Sequence, residues 1–501
     1  MKLLYFLLIN FSITLAAAQS GIRVIDASTG ESIPFANITI DGSQNQVSNA
    51  EGYFNLPGNA TDQTTFTVSY LGYVGQQVKA ADLNRMQNVI RLQPGVFELD
   101  DVDVSRVKPD PRQVMAQVRQ NLKQNYSLTD NSKDLIFFRQ GTSTKPKAFD
   151  VEITKSTGFT RRQLEQTNNQ ITGFSKRLIQ SPATEYTDIL CNLYRTPATA
   201  NNAKLEVVKA TKLVDQNRSV SLDNLAGSVS KIFFQHVDTT KFYRMKSGWI
   251  PVGDTITMNK EYHKMKKAQK AEKKKPEDTR IYNTRVRLAN FIKENNFENK
   301  KFDFVNDLDA YEYTYDGAMY SAENEFVYVL KFKPKKSRAK YTGTLYVSEN
   351  DYAIVRSDYQ LAKGKTLGGI NLKLLLGVKF KQNQANGTLI YAPKPDGKGY
   401  YLRYATIHEG AYIYAHRPIK LIELAKSDKD VVAFDIKFEG DSVDKIEFLN
   451  ISHQPVTEDQ FKGMAEAEFD YVKLKKYDPN IWKNYSAIEP LEEMKQFTVV
   501  E

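Results

Sequence analysis

The sequence is poor in cysteine and tryptophan for a chain of its length. Its 501 residues contain one cysteine and two tryptophans, against 28 tyrosines and 27 phenylalanines. A single cysteine excludes a disulfide framework, and Cys191 lies in the apolar run Ile189–Leu193, where we predict a buried small side chain rather than a nucleophile. The abundant tyrosine and phenylalanine favour a fold rich in β-strands, and the length allows more than one core.

Histidine is also sparse, and its spacing does not indicate a metal centre. No His-Glu-x-x-His motif exists, and no histidine has a glutamate three residues after it. A metal pair formed by His408 and His416 on neighbouring strand ends is one interpretation, but polar strand ends explain both residues better. Nucleophile-elbow, phosphate-loop, dinucleotide and Cys-x-x-Cys motifs are missing too. We therefore predict no catalytic residue, no metal and no cofactor.

The first eighteen residues have the pattern of a secretory signal peptide. Lys2 gives a basic start, residues 3–15 are mainly apolar, and residues 16–18 are alanines. The apolar run is short for a membrane span, so a retained N-terminal anchor is the weaker interpretation. No cysteine lies near the junction to accept a lipid. We expect cleavage near Ala18 and export to the periplasm, the outer membrane or the cell surface.

Positive charge is concentrated in one lysine-rich run. The formal net charge is +10, and much of the excess lies between residues 264 and 275. The run is helix-prone and poor in aromatic residues, so we predict an exposed segment that does not bind nucleic acid. Peripheral contact with an anionic membrane surface or a glycan is the second interpretation. The lysines proposed for such an interaction are Lys264, Lys266, Lys267, Lys273, Lys274 and Lys275.

Residues 21–56 alternate short strand patterns with glycine-containing turns. Apolar and polar residues alternate around Val24 and Ile38, and Gly30, Gly42 and Gly52 stand where the chain must reverse. This order resembles the carboxypeptidase-regulatory-like domain, a transthyretin-like β-sandwich found in envelope proteins of Gram-negative bacteria. The resemblance implies a seven-stranded sandwich over residues 19–105 and supports the predicted export. The zinc ligands of a metallocarboxypeptidase are not among the matching residues.

The rest of the chain is predicted to be mainly β with some α. Residues 106–130 read as a proline-containing linker and a helix that Asp110 caps, with Pro111 in its first turn. A mixed α/β region over residues 131–280 would follow. The proposed helices there are residues 160–178 and 185–193, and a strand is predicted at residues 148–153. Residues 281–501 are predicted to form an antiparallel β-rich domain with a meander over residues 325–359.

The sequence near the C-terminus predicts a clasp. Trp482 and Tyr485 lie one helical turn apart in an Asp-Pro-x-x-Trp-x-x-Tyr element that resembles one in uncharacterised envelope proteins. We expect both rings to cover a patch of the C-terminal sheet. Contact between these rings and a ligand is the alternative.

These observations favour an exported, non-catalytic envelope protein. Its sandwich would be a docking or adhesion module within the cell envelope. Its larger β-rich scaffold would bind a protein, lipid or glycan partner. One alternative is an envelope hydrolase whose site has no linear motif. Another is a protein associated with an outer-membrane β-barrel. Clustered carboxylates with perturbed pKa values would favour the hydrolase, whereas an apolar groove would favour the scaffold.

Overall fold

The computed structural model describes two compact units. It covers residues 21–95, 108–157, 160–180, 184–196, 203–214, 242–247, 250–257, 279–320, 325–424 and 431–497. The smaller unit combines residues 21–95 with residues 479–491, and most of the remaining described chain forms the larger unit. The predicted signal peptide and the lysine-rich run 264–275 lie outside the described residues.

The smaller unit contains the seven-stranded β-sandwich that the sequence predicts. One sheet has the strand order β4-β1-β7 and the other has the order β3-β2-β5-β6. Val24, Ile38, Phe54 and Phe66 fill the space between the sheets and are almost completely buried. The strands are β1 (Ile22–Asp26), β2 (Asn37–Ile40), β3 (Gln44–Val47), β4 (Tyr53–Phe54), β5 (Thr65–Ser69), β6 (Gln76–Lys79) and β7 (Val89–Leu92).

A sheet of fourteen described strands dominates the larger unit. Its main path is β13-β14-β15-β16-β18-β19-β20-β8-β9-β10-β21, while β11, β12 and β17 pair beside this path. The strands are β8 (Ser132–Ser156), β9 (Thr184–Arg195), β10 (Ala203–Leu213), β11 (Phe242–Ser247), β12 (Ile250–Thr257), β13 (Tyr311–Tyr320), β14 (Phe326–Pro334), β15 (Tyr341–Ser348), β16 (Ile354–Leu361), β17 (Gly368–Leu372), β18 (Val378–Pro393), β19 (Tyr400–Glu423), β20 (Val431–Pro455) and β21 (Val472–Leu474).

Helices of this unit pack on the sheet and create two cores. Met115 and Val118 of α1 join Leu288 of α3 in the main core, while Ile171 of α2 packs with Phe149 in a second core. The described helices are α1 (Pro111–Asn125), α2 (Arg161–Gln180), α3 (Arg280–Glu294), α4 (Asp303–Asn306), α5 (Lys373–Leu376), α6 (Glu458–Gly463) and α7 (Glu492–Lys495). The main core lies beside the meander, whereas the second core lies along the far halves of the longest strands.

Local sequence signals fixed several of these elements. The side chain of Asp110 accepts a hydrogen bond of 2.9 Å from the backbone N–H of Arg112, so the predicted N-cap of α1 is confirmed. The predicted helix at residues 160–178 corresponds to α2. Strands β14, β15 and β16 pair in sequence with antiparallel register, which confirms the meander.

The helix predicted over residues 185–193 is wrong. These residues lie in β9, which pairs antiparallel with β8 on one side and with β10 on the other. Ile189, Cys191 and Leu193 alternate into the main core, where all three are completely buried. Pairing on both sides and burial of this alternating face override the local pattern, because β9 gains ladder hydrogen bonds along its whole length.

The division predicted at residue 280 does not separate two sheets. Strand β8 comes from the first predicted region and β20 from the second, yet they pair from Ser132 opposite Pro455 to Ser156 opposite Val432. The strand predicted at residues 148–153 is therefore one part of a 25-residue strand. Local patterns cannot reveal this pairing, because its partners are about 300 residues apart in sequence.

Candidate functional site

Among the described residues of the larger unit, the three most exposed large apolar side chains lie in one β-hairpin. We call residues 368–381 the lysine–leucine hairpin; it contains β17, the single helical turn α5 and the start of β18. Leu374 is fully exposed, and 78 % of Leu375 is exposed. Ile370 and Phe380 are also exposed, although apolar residues of this size normally avoid water when they stand together.

The strand register gives this hairpin an apolar face and a basic face. Ile370 pairs opposite Phe380, and Leu372 pairs opposite Val378, so these four side chains share one face. Alternation places Lys379 and Lys381 on the other face. There Lys379 lies 5.7 Å from the ring centre of Tyr412, and Lys373 lies 4.1 Å from the ring centre of Tyr414. The hairpin therefore carries isoleucine and phenylalanine on one face and lysine on the other.

The backbone at the tip of the hairpin is held in place. Gly377 ends α5 with φ +64°, and a Cβ added there would lie 2.1 Å from the carbonyl oxygen of His416. The N–H of His416 donates to the carbonyl of Gly377 at 2.7 Å, and the Arg417 guanidinium donates to the carbonyl of Leu376 at 2.7 Å. These contacts to β19 fix the direction in which the exposed leucines point.

The sequence around the hairpin carries charge of one sign. Six lysines and no acidic residue occur from Tyr359 to Pro395. This signal was available in the sequence but was hidden by the denser lysine run at residues 264–275. Lys394 is buried and pairs with Asp130, so the lysines at the hairpin itself are Lys373, Lys379 and Lys381. An exposed apolar tip near these lysines fits an anionic, apolar-cored partner such as a lipid bilayer.

A buried polar cluster joins the ends of β8, β9 and β20. Asp134 Oδ1 accepts from Asn450 at 2.7 Å and lies 2.5 Å from His453 Nδ1, while Oδ2 accepts from Arg195 at 2.8 Å and from Ser132 at 3.0 Å. Burial favours the neutral acid, but the Arg195 charge and these hydrogen bonds outweigh it and hold the pKa of Asp134 well below its usual range. Both carboxylate oxygens are occupied, so the cluster ties three strands together.

A second buried ion pair, around Arg139, also joins neighbouring strands inside the sheet. Arg139 donates to both oxygens of Asp188 at 2.9 Å, and its guanidinium lies 3.7 Å from Glu447. Although burial opposes the charged form, Asp188 and Glu447 raise the pKa of Arg139 above its usual range. Both carboxylates are themselves buried and face the arginine inside the sheet.

The cavities described here are polar or narrow. The cavity beside His453 has a volume of about 20 Å³, which is room for a single water. A wider depression of about 800 Å³ lies beside Arg280, Arg287, Phe469 and Tyr471. Arg280 there already donates to the carbonyl of Phe469 at 2.7 Å and pairs with Asp470. Neither cavity is the apolar groove that would have favoured a scaffold directly.

The histidine pair considered from the sequence is not a pair in space. His408 and His416 lie eight residues apart on the same strand, β19, which separates them by about 26 Å. Burial, reinforced by Lys445, lowers the pKa of His408 to about 4, and His416 Nε2 lies 2.8 Å from Asp435. Among the described residues, no group of three or more histidine, cysteine, aspartate or glutamate side chains could hold a metal ion.

The remaining predicted site residues divide between the described and undescribed parts of the chain. Lys264, Lys266, Lys267, Lys273, Lys274 and Lys275 lie outside the described residues, so their interaction stays a prediction. Trp482 is buried, and its ring centre lies 6.0 Å from that of Tyr485 in an edge-to-face arrangement. Both belong to the smaller unit, so the clasp lies with the sandwich and not on the C-terminal sheet where we expected it.

Comparison with known proteins identifies the smaller unit. Residues 21–104 match the family model of the CarboxypepD_reg-like domain, and no family model matches the rest of the chain. No curated protein and no solved structure matches the sequence. Within the described residues, no helix has both the length and the hydropathy needed to span a membrane. The seven strands and the family match agree, and residues 21–104 of this chain are therefore a CarboxypepD_reg-like domain.

Proposed function

We propose that this chain is an exported, non-catalytic envelope protein that binds an anionic membrane surface through the lysine–leucine hairpin. The sandwich would serve as its docking module. The observation that carries the proposal is the exposure of Leu374 and Leu375 at a fixed tip, next to Lys373 and Lys379. The predicted signal peptide supports contact with a membrane after export.

Simple energetics make such binding reversible but measurable. Burial of each leucine in the acyl region contributes about 1.5–3 kcal/mol, and each lysine near an anionic surface contributes about 1 kcal/mol. Ordering and immobilisation oppose these gains. The sum resembles one weak lipid anchor, so a second contact, such as the lysines of residues 264–275, would strengthen attachment.

The buried carboxylates support this proposal over the hydrolase alternative. Asp134, Asp188 and Glu447 each face a cation inside the sheet. A general acid or base needs reach to a substrate, and hydrogen bonds to neighbouring side chains already occupy both oxygens of Asp134 and of Asp188.

The direct test is sedimentation of the full chain with lipid vesicles. Vesicles of phosphatidylethanolamine with phosphatidylglycerol should bind the protein, and vesicles of phosphatidylcholine alone should bind it at least fivefold less. Replacing both leucines (L374S with L375S) should reduce binding about tenfold while the melting temperature stays unchanged, because both side chains are already in water.

Val74 provides a matched control on the smaller unit. It is 60 % exposed, so Val74→Ser removes a similar exposed apolar side chain without touching the hairpin. This variant should bind vesicles like the wild type. Equal binding to neutral and anionic vesicles, or undiminished binding of the leucine variant, would contradict the proposal and point to a protein partner for this surface.

A further inference from the structure

The sandwich has two edge strands that are close in the chain, and a distant segment contacts residues in or next to both. Strand β3 is the edge of one sheet and β4 is the edge of the other, and only five residues connect them. Exposed strand edges normally need a cover because their backbone groups lack partners. Residues 483–490, which we call the clasp segment, lie against side chains of β3 and against residues just after β4.

Polar side chains of the sandwich hold the clasp segment along its length. Gln46 Nε2 donates to the carbonyl of Ala487 at 3.1 Å, and Asn49 Nδ2 donates to the carbonyl of Pro490 at 3.3 Å. Ser486 Oγ donates to Gln44 at 3.2 Å. These contacts lie along β3 and the turn after it. The contacts of Gln46 and Asn49 are made to backbone carbonyls of the segment, so they do not depend on its side chains.

The other edge adds one charged contact and one close approach of backbone. Asn55, just after β4, donates to the carboxylate of Glu489, which is buried. The N–H of Gly58 donates to the carbonyl of Lys483 at 2.5 Å. A Cβ on Gly58 would lie 2.6 Å from the side chain of Asn484, so this approach depends on glycine.

The segment itself has the form of a bound peptide. It has no regular helix or strand, and the completely buried Ile488 lies between the two carbonyls that Gln46 and Asn49 hold. Gln46 Oε1 is buried and accepts no hydrogen bond among the described residues. The groove therefore keeps one acceptor that the clasp segment does not use.

We propose that the groove between β3 and β4 is a peptide-binding site that the clasp segment fills in cis. Its ligand is an extended peptide with a buried aliphatic residue, followed by an acidic residue and proline, as in Ile488-Glu489-Pro490. Backbone carbonyls supply most of the recognition, and the Asn55 contact selects the acidic side chain. A partner that carries such a peptide binds when the clasp segment is released.

The test uses the full chain with a weakened clasp segment and an intact groove. Ile488→Asp with Glu489→Ala should release the segment, since one substitution places a charge where an aliphatic side chain is buried and the other removes the Asn55 contact. A fluorescently labelled peptide of residues 479–491 should then bind at least tenfold more tightly to this variant than to the wild type, as measured by anisotropy.

Substitutions in the groove decide whether binding occurs there. Adding Asn55→Ala should weaken peptide binding at least tenfold, whereas Gln77→Ala on the opposite edge strand β6 should not change it. No peptide binding by a variant that melts like the wild type would overturn the proposal. So would equal binding with and without Asn55.

A second measurement applies if the doubly substituted chain does not fold. Gly58→Ala should loosen the segment, so trypsin should cleave after Lys483 at least fivefold faster than in the wild type. Gly75→Ala is the matched control, because its added Cβ would have only ordinary contacts of 3.7 Å or more. Equal cleavage of both glycine variants would show that the groove does not hold the segment and would overturn the proposal.

Discussion

At the scale of single residues, buried charge and backbone conformation determine which positions tolerate change. Asp134 is completely buried among a cation and hydrogen-bond donors from two other strands. Removing one member of such a cluster leaves buried charged or polar partners unpaired. The resulting loss of folding free energy is larger than the net stabilisation that the intact cluster provides. Glycines at left-handed turns are sensitive for a different reason, because any side chain there strains the backbone.

Asp134→Asn should lower the free energy of unfolding by about 2–4 kcal/mol at pH 7, because it removes the buried counter-charge of the partly buried Arg195 and disturbs the hydrogen bonds at position 134. The folded-state pKa of Asp134 is lowered, so its contribution is fully present above the unfolded pKa of about 4 and is lost as pH falls towards the folded value. Urea unfolding at pH 7 and pH 3 should therefore show a smaller difference from wild type at pH 3.

The exposed Asp150 on the same strand provides the control for this substitution. Asp150→Asn should change stability by less than about 0.5 kcal/mol at either pH. An Asp134→Asn protein as stable as this control at pH 7 would show that the charge at position 134 does not hold the three strands together.

Gly52→Ala should destabilise the sandwich more than Gly42→Ala. Both glycines have positive φ, but an added Cβ at Gly52 would lie 2.9 Å from Ser32 and 3.0 Å from the carbonyl of Val24, whereas at Gly42 it meets nothing within 4 Å. We expect about 1 kcal/mol for Gly42 and at least 2 kcal/mol for Gly52 in thermal unfolding. Equal losses of stability in the two variants would mean that backbone strain alone, and not the close contacts at Gly52, determines the destabilisation.

At the scale of elements, the position of an element in the sheet decides its exposure. Strand β9 is covered on both edges and becomes core, whereas β17 pairs only with β18 among the described strands and leaves its side chains in water. The apolar residues of the two strands are similar in kind. Their roles differ because one strand is central and the other is an edge.

The rigidity of the hairpin tip can be tested at Gly377. Gly377→Ala places a Cβ against the carbonyl of His416, so the tip must move and the leucines lose their common direction. Binding to phosphatidylglycerol vesicles should fall at least threefold. Gly364→Ala is the control, since it shares the positive φ but meets nothing within 4 Å, and it should bind like the wild type.

At the scale of the whole molecule, the chain combines a small sandwich with a large sheet and a lysine-rich run outside the described residues. The sandwich draws on residues 479–491 as well as on residues 21–95. The sequence led us to expect the whole sandwich unit within residues 19–105. A fragment limited to residues 20–105 lacks residues 479–491, which belong to the same unit.

Replacing residues 264–275 with a Gly-Ser linker of equal length should leave the melting temperature nearly unchanged. The run has no apolar stripe wide enough to pack on a core, and its lysines repel one another. The same replacement should weaken binding to anionic vesicles at low salt and have little effect at high salt. A large loss of stability would show instead that the run packs against the fold.

Export can be tested on the native protein. Its N-terminal sequence should begin within a few residues of Gln19, because the alanines before it suit a signal peptidase. An intact Met1 on the native protein would contradict the predicted signal peptide.

The sequence alone was enough for features that depend on neighbouring residues. The sandwich strands, the turn glycines, the Asp110 cap and the meander each arise from periodicity or turn chemistry within a few residues. Tertiary structure decided features that join distant residues: β9 as a central strand, the Asp134–His453 contact across 319 positions and the Gln46–Ala487 contact across 441. The exposure of the lysine–leucine hairpin belongs with these, because only the arrangement of the sheet determines which apolar strand remains uncovered.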